Sequence, residues 1–318
     1  MLLDFDKYDK IIISTSGGKD SLACILYFLD QGIDKSRMEL WHQAVDGRHN
    51  SFRQFYDWKC TDGYVQKVAR HLGLSLSYQW RAFGMYGEMT RENALTNDCY
   101  YEVDNNIIRL PTTKGKLSTR KKFPAKTADL KTRWCSAYLK IDVARKVISN
   151  RFKEGKFLFV TGERREESPQ RARYNEYELH PSNNKLRLVH SFRPVIDWKE
   201  SKVWDIIEKY GIVPHPAYYL GFPRVSCMRC VFYSPNHWRT LQDVDPSSIH
   251  ELSELEKEFS HTIDNKFPLL SLVQKGKTLL LPENRQYVKL ALSEYDSEVS
   301  TNKWILPAGA FGSGGGSL

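Results

Sequence analysis

Ser16-Gly17-Gly18-Lys19-Asp20-Ser21 is a run that could hold an oxyanion. Two glycines let the backbone approach phosphate oxygens, Lys19 supplies a point charge, and Ser16 and Ser21 offer hydroxyls. Bare phosphate would repel Asp20, so the chemistry assigns it a Mg²⁺ ion that neutralises it. The plainer alternative is a glycine turn with a polar cap. A second group is Arg164, Arg165, Arg171 and Arg173, whose guanidinium forks suit phosphate or sulfate. Glu163, Glu166 and Glu167 lie among them, and the alternative there is a surface ion-pair cluster. Cys227-Met-Arg-Cys230 is half of a metal site, and Arg224 and Arg229 beside it would favour thiolates. Cys135 is a third candidate ligand, placed where a helix N-terminus would lower its pKa.

These side chains need elements to position them. Residues 9–15, KIIISTS, form a β-branched apolar run of the length of a strand buried on both faces. Leu22, Ile25, Leu26 and Leu29 recur at helical spacing over 21–30, with Gly32 as the stop. The glycine run therefore joins a buried strand to a helix N-terminus, where free N–H groups and the helix dipole attract anions. A strand at 38–45, a helix over 52–72 and a strand at 74–80 complete a βαβαβ order, which predicts an α/β fold with a doubly wound, mainly parallel sheet. A helix over 138–150 and a buried strand at 156–162 extend it. Gly162 and Arg164 then follow a strand's C-terminal end, where ligands of open α/β sheets bind. Amphipathic helices at 198–211 and 244–262 come next.

Composition sets limits. A chain of 318 residues with 41% hydrophobic content buries a real core, which excludes a disordered tail protein. No stretch of eighteen apolar residues is present, and Asp4 and Asp6 stand where a signal peptide would be basic. The expectation is a soluble cytoplasmic protein, with the terminal GSGGGSL a flexible tail. Of the net charge of +9, +7 falls between Pro111 and Arg133, where Lys114, Lys116, Arg120, Lys121, Lys122, Lys126, Lys131 and Arg133 face Asp129 alone. Such a concentration suits a polyanion, nucleic acid included, or a solvated loop. Periodicity fades over 83–133, which reads as a basic insertion or long loop. Cys24, Cys60, Trp198, Trp204, Tyr218 and Tyr219 read as packing, with an adenine contact the alternative for the two tyrosines, and His215 reads as an exposed, inert loop residue.

SGGKDS resembles the PP-loop of the adenine nucleotide α-hydrolase superfamily rather than a Walker loop. TGERREESPQR at 161–171 and the run from Asp197 to Cys230 are similar to segments of the phosphoadenosine phosphosulfate reductase family. The resemblance covers most of residues 9–232. Residues 233–318, which the resemblance does not cover, read from the helix at 244–262 as a helical C-terminal extension; over 1–232 the resemblance implies a Rossmann-like PP-loop domain. The cofactor it implies is ATP or another adenine nucleotide, held by residues 16–21, Gly162, Arg164 and Arg171, with Lys19 and Asp20 in the chemistry and Mg²⁺ on Asp20.

In some members of that family the positions of Cys135, Cys227 and Cys230 contribute to a [4Fe–4S] cluster. Here Trp134-Cys135-Ser136 lacks the double cysteine of cluster-binding reductases, so three conventional ligands remain. A cubane normally takes four thiolates. Either the fourth position is open, or Cys99 or His237 completes the shell, or the metal is zinc, or the thiols are structural or free. Sulfonucleotide reductases also use a later cysteine as nucleophile, and this chain has none after Cys230. The pattern is therefore most similar to the DndC-like and SspD-like ATP pyrophosphatases of DNA phosphorothioation. They imply α,β-cleavage of ATP, adenylylation of an acceptor, DNA favoured over tRNA, and a cysteine desulfurase as sulfur donor. A sulfonucleotide reductase, a tRNA thiolation enzyme and a noncatalytic nucleotide-binding module are the alternatives.

Overall fold

The computed structural model describes residues 4–127, 129–225 and 227–312. Eight strands make one sheet: β1 (Lys10–Thr15), β2 (Met38–Ala44), β3 (Ser75–Arg81), β4 (Cys99–Val103), β5 (Asn106–Leu110), β6 (Gly155–Val160), β7 (Tyr177–Leu179) and β8 (Arg187–Phe192), in the order β5-β4-β3-β2-β1-β6-β8-β7. The five central strands are parallel, and β4, β5 and β7 pair antiparallel at the two edges. This is the doubly wound, Rossmann-like α/β sheet that the strand and helix order predicts. In β1, Ile11 and Ile13 enter the large core cluster on one face and Ile12 enters a second cluster on the other, which is why the strand reads as an unbroken apolar run.

Helices α1 (Lys19–Asp30), α2 (Thr61–Leu72) and α3 (Gly84–Met89) fall within the first half. Next, α4 (Trp134–Ser136) and α5 (Asp142–Arg151) are joined by a π turn over Ala137–Ile141 into one helix. They are followed by α6 (Glu200–Lys209), α7 (Pro216–Tyr219), α8 (Pro235–Val244), α9 (Pro246–Phe259), α10 (Leu269–Lys275) and α11 (Gln286–Ala291). The region after 233 is helical as expected, and it shares one core cluster with the sheet, running from Tyr8 to Val299. No helix of the described residues is long and apolar enough to cross a membrane. The expectation for GSGGGSL falls, from residue 313 on, outside the described residues.

Two expectations change. The helix anticipated over 52–72 begins only at Thr61, because the Asp46 carboxylate accepts the backbone N–H groups of Phe55, Tyr56 and Asp57 and folds 54–57 into a turn. The 83–133 stretch is not one loop: β4 and β5 extend the sheet as a hairpin. Its two-residue turn, Asp104-Asn105, has both φ values positive (48° and 61°), as a tight hairpin turn requires. Fully buried Glu88 ties the basic stretch down through Arg91 and Arg120, each 3.5 Å away.

Candidate functional site

Strand order reverses between β1 and β6, and the glycine run sits at the C-terminal end of β1, the place where doubly wound sheets bind ligands. Gly17 has φ +74°, which a side-chain-bearing residue resists. Gly162, just beyond β6, lies so near the start of α1 that a Cβ there would meet the Asp20 backbone carbon and oxygen at 2.8 Å. The two strand ends are thereby brought into contact. Several donors of the bend are already engaged: the Ser16 N–H reaches Ser21 Oγ at 3.3 Å, and the Lys19 N–H reaches Tyr218 Oη at 2.8 Å. Lys19 is 7% exposed; its Nζ donates to the Pro223 carbonyl at 3.1 Å and lies 3.6 Å from Asp20 and 3.5 Å from Glu200. Burial alone would lower the Lys19 pKa, but Asp20, Tyr218 and Glu200 outweigh it and hold the ammonium protonated.

Arg164 is 2% exposed and directed inward. Its Nε donates to Asp20 Oδ1 at 2.6 Å, its guanidinium also pairs with Glu166, and Glu200 lies 3.8 Å away. Burial would raise the Asp20 pKa, yet Lys19 and Arg164 together hold it below the ordinary carboxylate range. Asp20 is thus paired with two side-chain cations. Arg171 pairs with Glu167, and Arg165 with Asp197. Of the four arginines, Arg164 reaches the bend directly, bridging Asp20 of α1 and Glu200 of α6.

The three cysteines reach one neighbourhood, around the buried Tyr56 hydroxyl, which has no hydrogen-bond partner among the described residues. They do not form a ligand set there. Among the described residues no group of three or more His, Cys, Asp or Glu side chains is placed to hold a metal ion. Burial pushes the Cys135 and Cys227 thiols up, against the thiolates expected from the helix start and the flanking arginines. Arg229 turns away to Ser248 and Glu251. Of the proposed fourth ligands, Cys99 lies in the second core cluster while Cys135, Cys227 and Cys230 pack against the first, and His237 Nδ1 caps α8 through Ser234. Neither the [4Fe–4S] nor the zinc expectation fits this arrangement, and no step is derived through either. Cys24 packs in the core as expected.

Residues 10–232 match the family model described as the phosphoadenosine phosphosulfate reductase domain. The chain belongs to that family. This reductase-family chain is 25% identical, over 77% of its length and 74% of the other's, to an uncharacterised 37.8 kDa protein of Escherichia phage 186. It is 32% identical to the adenosine 5'-phosphosulfate reductase of Burkholderia cepacia, over 23% of this chain and 27% of that one. Among solved structures, Candida glabrata FMN adenylyltransferase in complex with ATP is similar at 12% identity and a TM-score of 0.42, over 99% of this chain and 82% of that one.

The family member also carries features that its sequence concealed. A cavity of about 420 Å³ opens at the C-terminal end of β2, lined by His42, Asp46, Arg48, Gln54, Asp57, Trp58, Thr61 and Gln66 among others. His215, expected to be exposed, is fully buried between this cavity and the bend. Its Nδ1 accepts the Ala217 N–H, and Nε2 lies 3.2 Å from Thr61 Oγ1 and 3.3 Å from Cys60 Sγ. Thr61 in turn donates to Asp57 at 3.0 Å. Burial holds His215 neutral, with a pKa lowered to about 3. The Pro-His-Pro setting was the available signal, since flanking prolines hold a histidine in one place.

Burial, with the charge of Asp46, raises the Asp57 pKa to about 8. A carboxyl raised in the folded state carries no cost below its unfolded pKa and destabilises progressively as pH climbs from there toward 8. Asp57→Asn is therefore expected to flatten the fall in urea midpoint between pH 5 and pH 8. An unchanged fall in the variant would assign the titration elsewhere.

Proposed function

We propose that this chain is a PP-loop ATP pyrophosphatase that adenylylates an acceptor for sulfur transfer. The acceptor is a nucleic-acid backbone phosphate, DNA in preference to tRNA. The carrying observation is the bend itself: a glycine turn opening α1 at the β1–β6 crossing, with a protonated lysine at its centre. Backbone N–H groups and Lys19 would stabilise pyrophosphate as it leaves. The bond between the α-phosphorus and the bridging oxygen breaks, an acceptor phosphate oxygen takes its place, and Mg²⁺ arrives with the nucleotide. The terminal sulfur of a persulfide carried by a cysteine desulfurase then attacks the activated phosphorus and displaces AMP, and a thiol reductant cleaves the resulting S–S bond to leave the phosphorothioate and a disulfide. The cavity beside β2 is large enough for a nucleoside portion, and exposed Lys114, Lys116, Lys122 and Lys131 offer a polyanion a surface.

Mg²⁺-ATP is expected to release pyrophosphate faster when DNA is added than when tRNA is, with stimulation falling as salt rises. No pyrophosphate under either condition refutes the proposal. The second reading, a sulfonucleotide reductase, is favoured by the reductase relatives and opposed by the lack of a cysteine after Cys230. It would show as thiol-dependent sulfite release from adenosine phosphosulfate or its 3'-phosphorylated form.

A further inference from the structure

The glycine bend is covered. Residues 213–223 lie across it, and two donors that an oxyanion would use, the Lys19 amide and Lys19 Nζ, are spent on Tyr218 Oη at 2.8 Å and the Pro223 carbonyl at 3.1 Å. The His215 ring comes within 3.5 Å of where a Cβ on Gly17 would stand. Tyr218 is held edge-on against Trp204 of α6, and its hydroxyl sits at the head of α1 as a phosphate oxygen would.

A second segment fastens the first. Over residues 299–311, the Val299 carbonyl accepts the Val213 N–H at 2.9 Å and the Thr301 N–H reaches the Gly211 carbonyl at 2.8 Å. Trp304 Nε1 donates to the Ile212 carbonyl at 2.8 Å, and the Gly309 N–H to the Tyr218 carbonyl at 2.7 Å. The Phe311 N–H reaches Glu200 at 3.2 Å, the carboxylate that also pairs with Lys19. Ile305, Leu306 and Phe311 are 63%, 46% and 56% exposed, so backbone hydrogen bonds more than burial secure the far end, and segments held in that way open at low cost. Gly211, with φ of +60°, precedes the covering residues, and Gly221, with φ of +92°, lies within them near their far end.

We propose that residues 213–223 are a lid closed on the bend and that residues 299–311 are the strap that holds it shut, so that the loop takes an oxyanion only when the strap lets go. The oxyanion part rests on the reading of residues 16–21 as a phosphate site. The lid itself does not.

The test uses the full chain with inorganic pyrophosphate as the probe, titrated by calorimetry, together with deuterium exchange of the 17–22 amides. Tyr218→Phe removes the oxygen on the Lys19 amide and keeps the ring; Trp304→Phe removes one strap bond; truncation after Ala310 removes the Phe311 N–H. Each is expected to speed exchange at 17–22 and to tighten pyrophosphate binding about three- to tenfold, the effect of one competing hydrogen bond. Faster exchange with no pyrophosphate binding by any variant or the wild type supports the lid and refutes the phosphate reading. Unchanged exchange and affinity in Trp304→Phe and the truncation overturn the strap. Weaker pyrophosphate binding in Tyr218→Phe makes that hydroxyl part of the site and overturns the lid.

Discussion

Arg164→Ala is expected to destabilise the protein by about 3–5 kcal/mol, the usual consequence of removing one partner from a buried ion pair. The side chain is almost wholly enclosed, and it faces Asp20, Glu166 and Glu200 together. Alanine there leaves Asp20 and Glu200 to Lys19 alone and Glu166 to Lys199. Asp20 stands below the ordinary carboxylate range because of Lys19 and Arg164, so its stabilisation is present above the unfolded carboxylate pKa and lost as pH falls through the folded value. The variant should therefore lose stability most at neutral pH and approach the wild type in acid. Urea unfolding followed from pH 7 down to pH 2 measures both, and Asp20→Asn in the same chain should recover part of the loss. A cost under about 1 kcal/mol at pH 7 would place the pair among exposed ones.

Lys19→Met should reduce pyrophosphate release about 10²–10³-fold, the magnitude associated with losing one preorganised group that stabilises developing charge. Methionine keeps most of the side-chain volume, so the Trp204 and Tyr218 rings that flank the lysine, 6.0 and 5.7 Å from Nζ, keep their packing partner. What disappears is the charge that α,β-cleavage would need on the leaving group. Single-turnover release, with the folded fraction checked by circular dichroism, reads this directly. A rate within threefold of the wild type would remove the bend from the chemistry, whatever the nucleotide affinity.

The opening β-α unit was legible because its signals are local. A β-branched run, a glycine bend and a 3.6-residue apolar repeat each act within a few residues, and β1 and α1 lie where those patterns put them. The Asp104-Asn105 hairpin was hidden because asparagine and aspartate mark long loops and tight positive-φ turns alike. The cysteines mislead for a different reason. Spacing and flanking charges argue for thiolates, whereas burial, which spacing does not report, keeps Cys135 and Cys227 protonated. Tyr218 looked like packing, and packing it does, while its hydroxyl caps an amide almost two hundred positions away.

By itself, the order of residues determined the layer architecture, the place of the glycine bend at a helix N-terminus and the run of cations after Pro111. Periodicity, turn chemistry and charge are properties of neighbours along the chain. Only the tertiary structure decided that Arg164 braces Asp20, that His215 is buried between cavity and bend, and that residues 299–311 fasten the segment lying over Lys19. Desolvation and the pairing of charges depend on what surrounds a group in space, and no spacing rule encodes that.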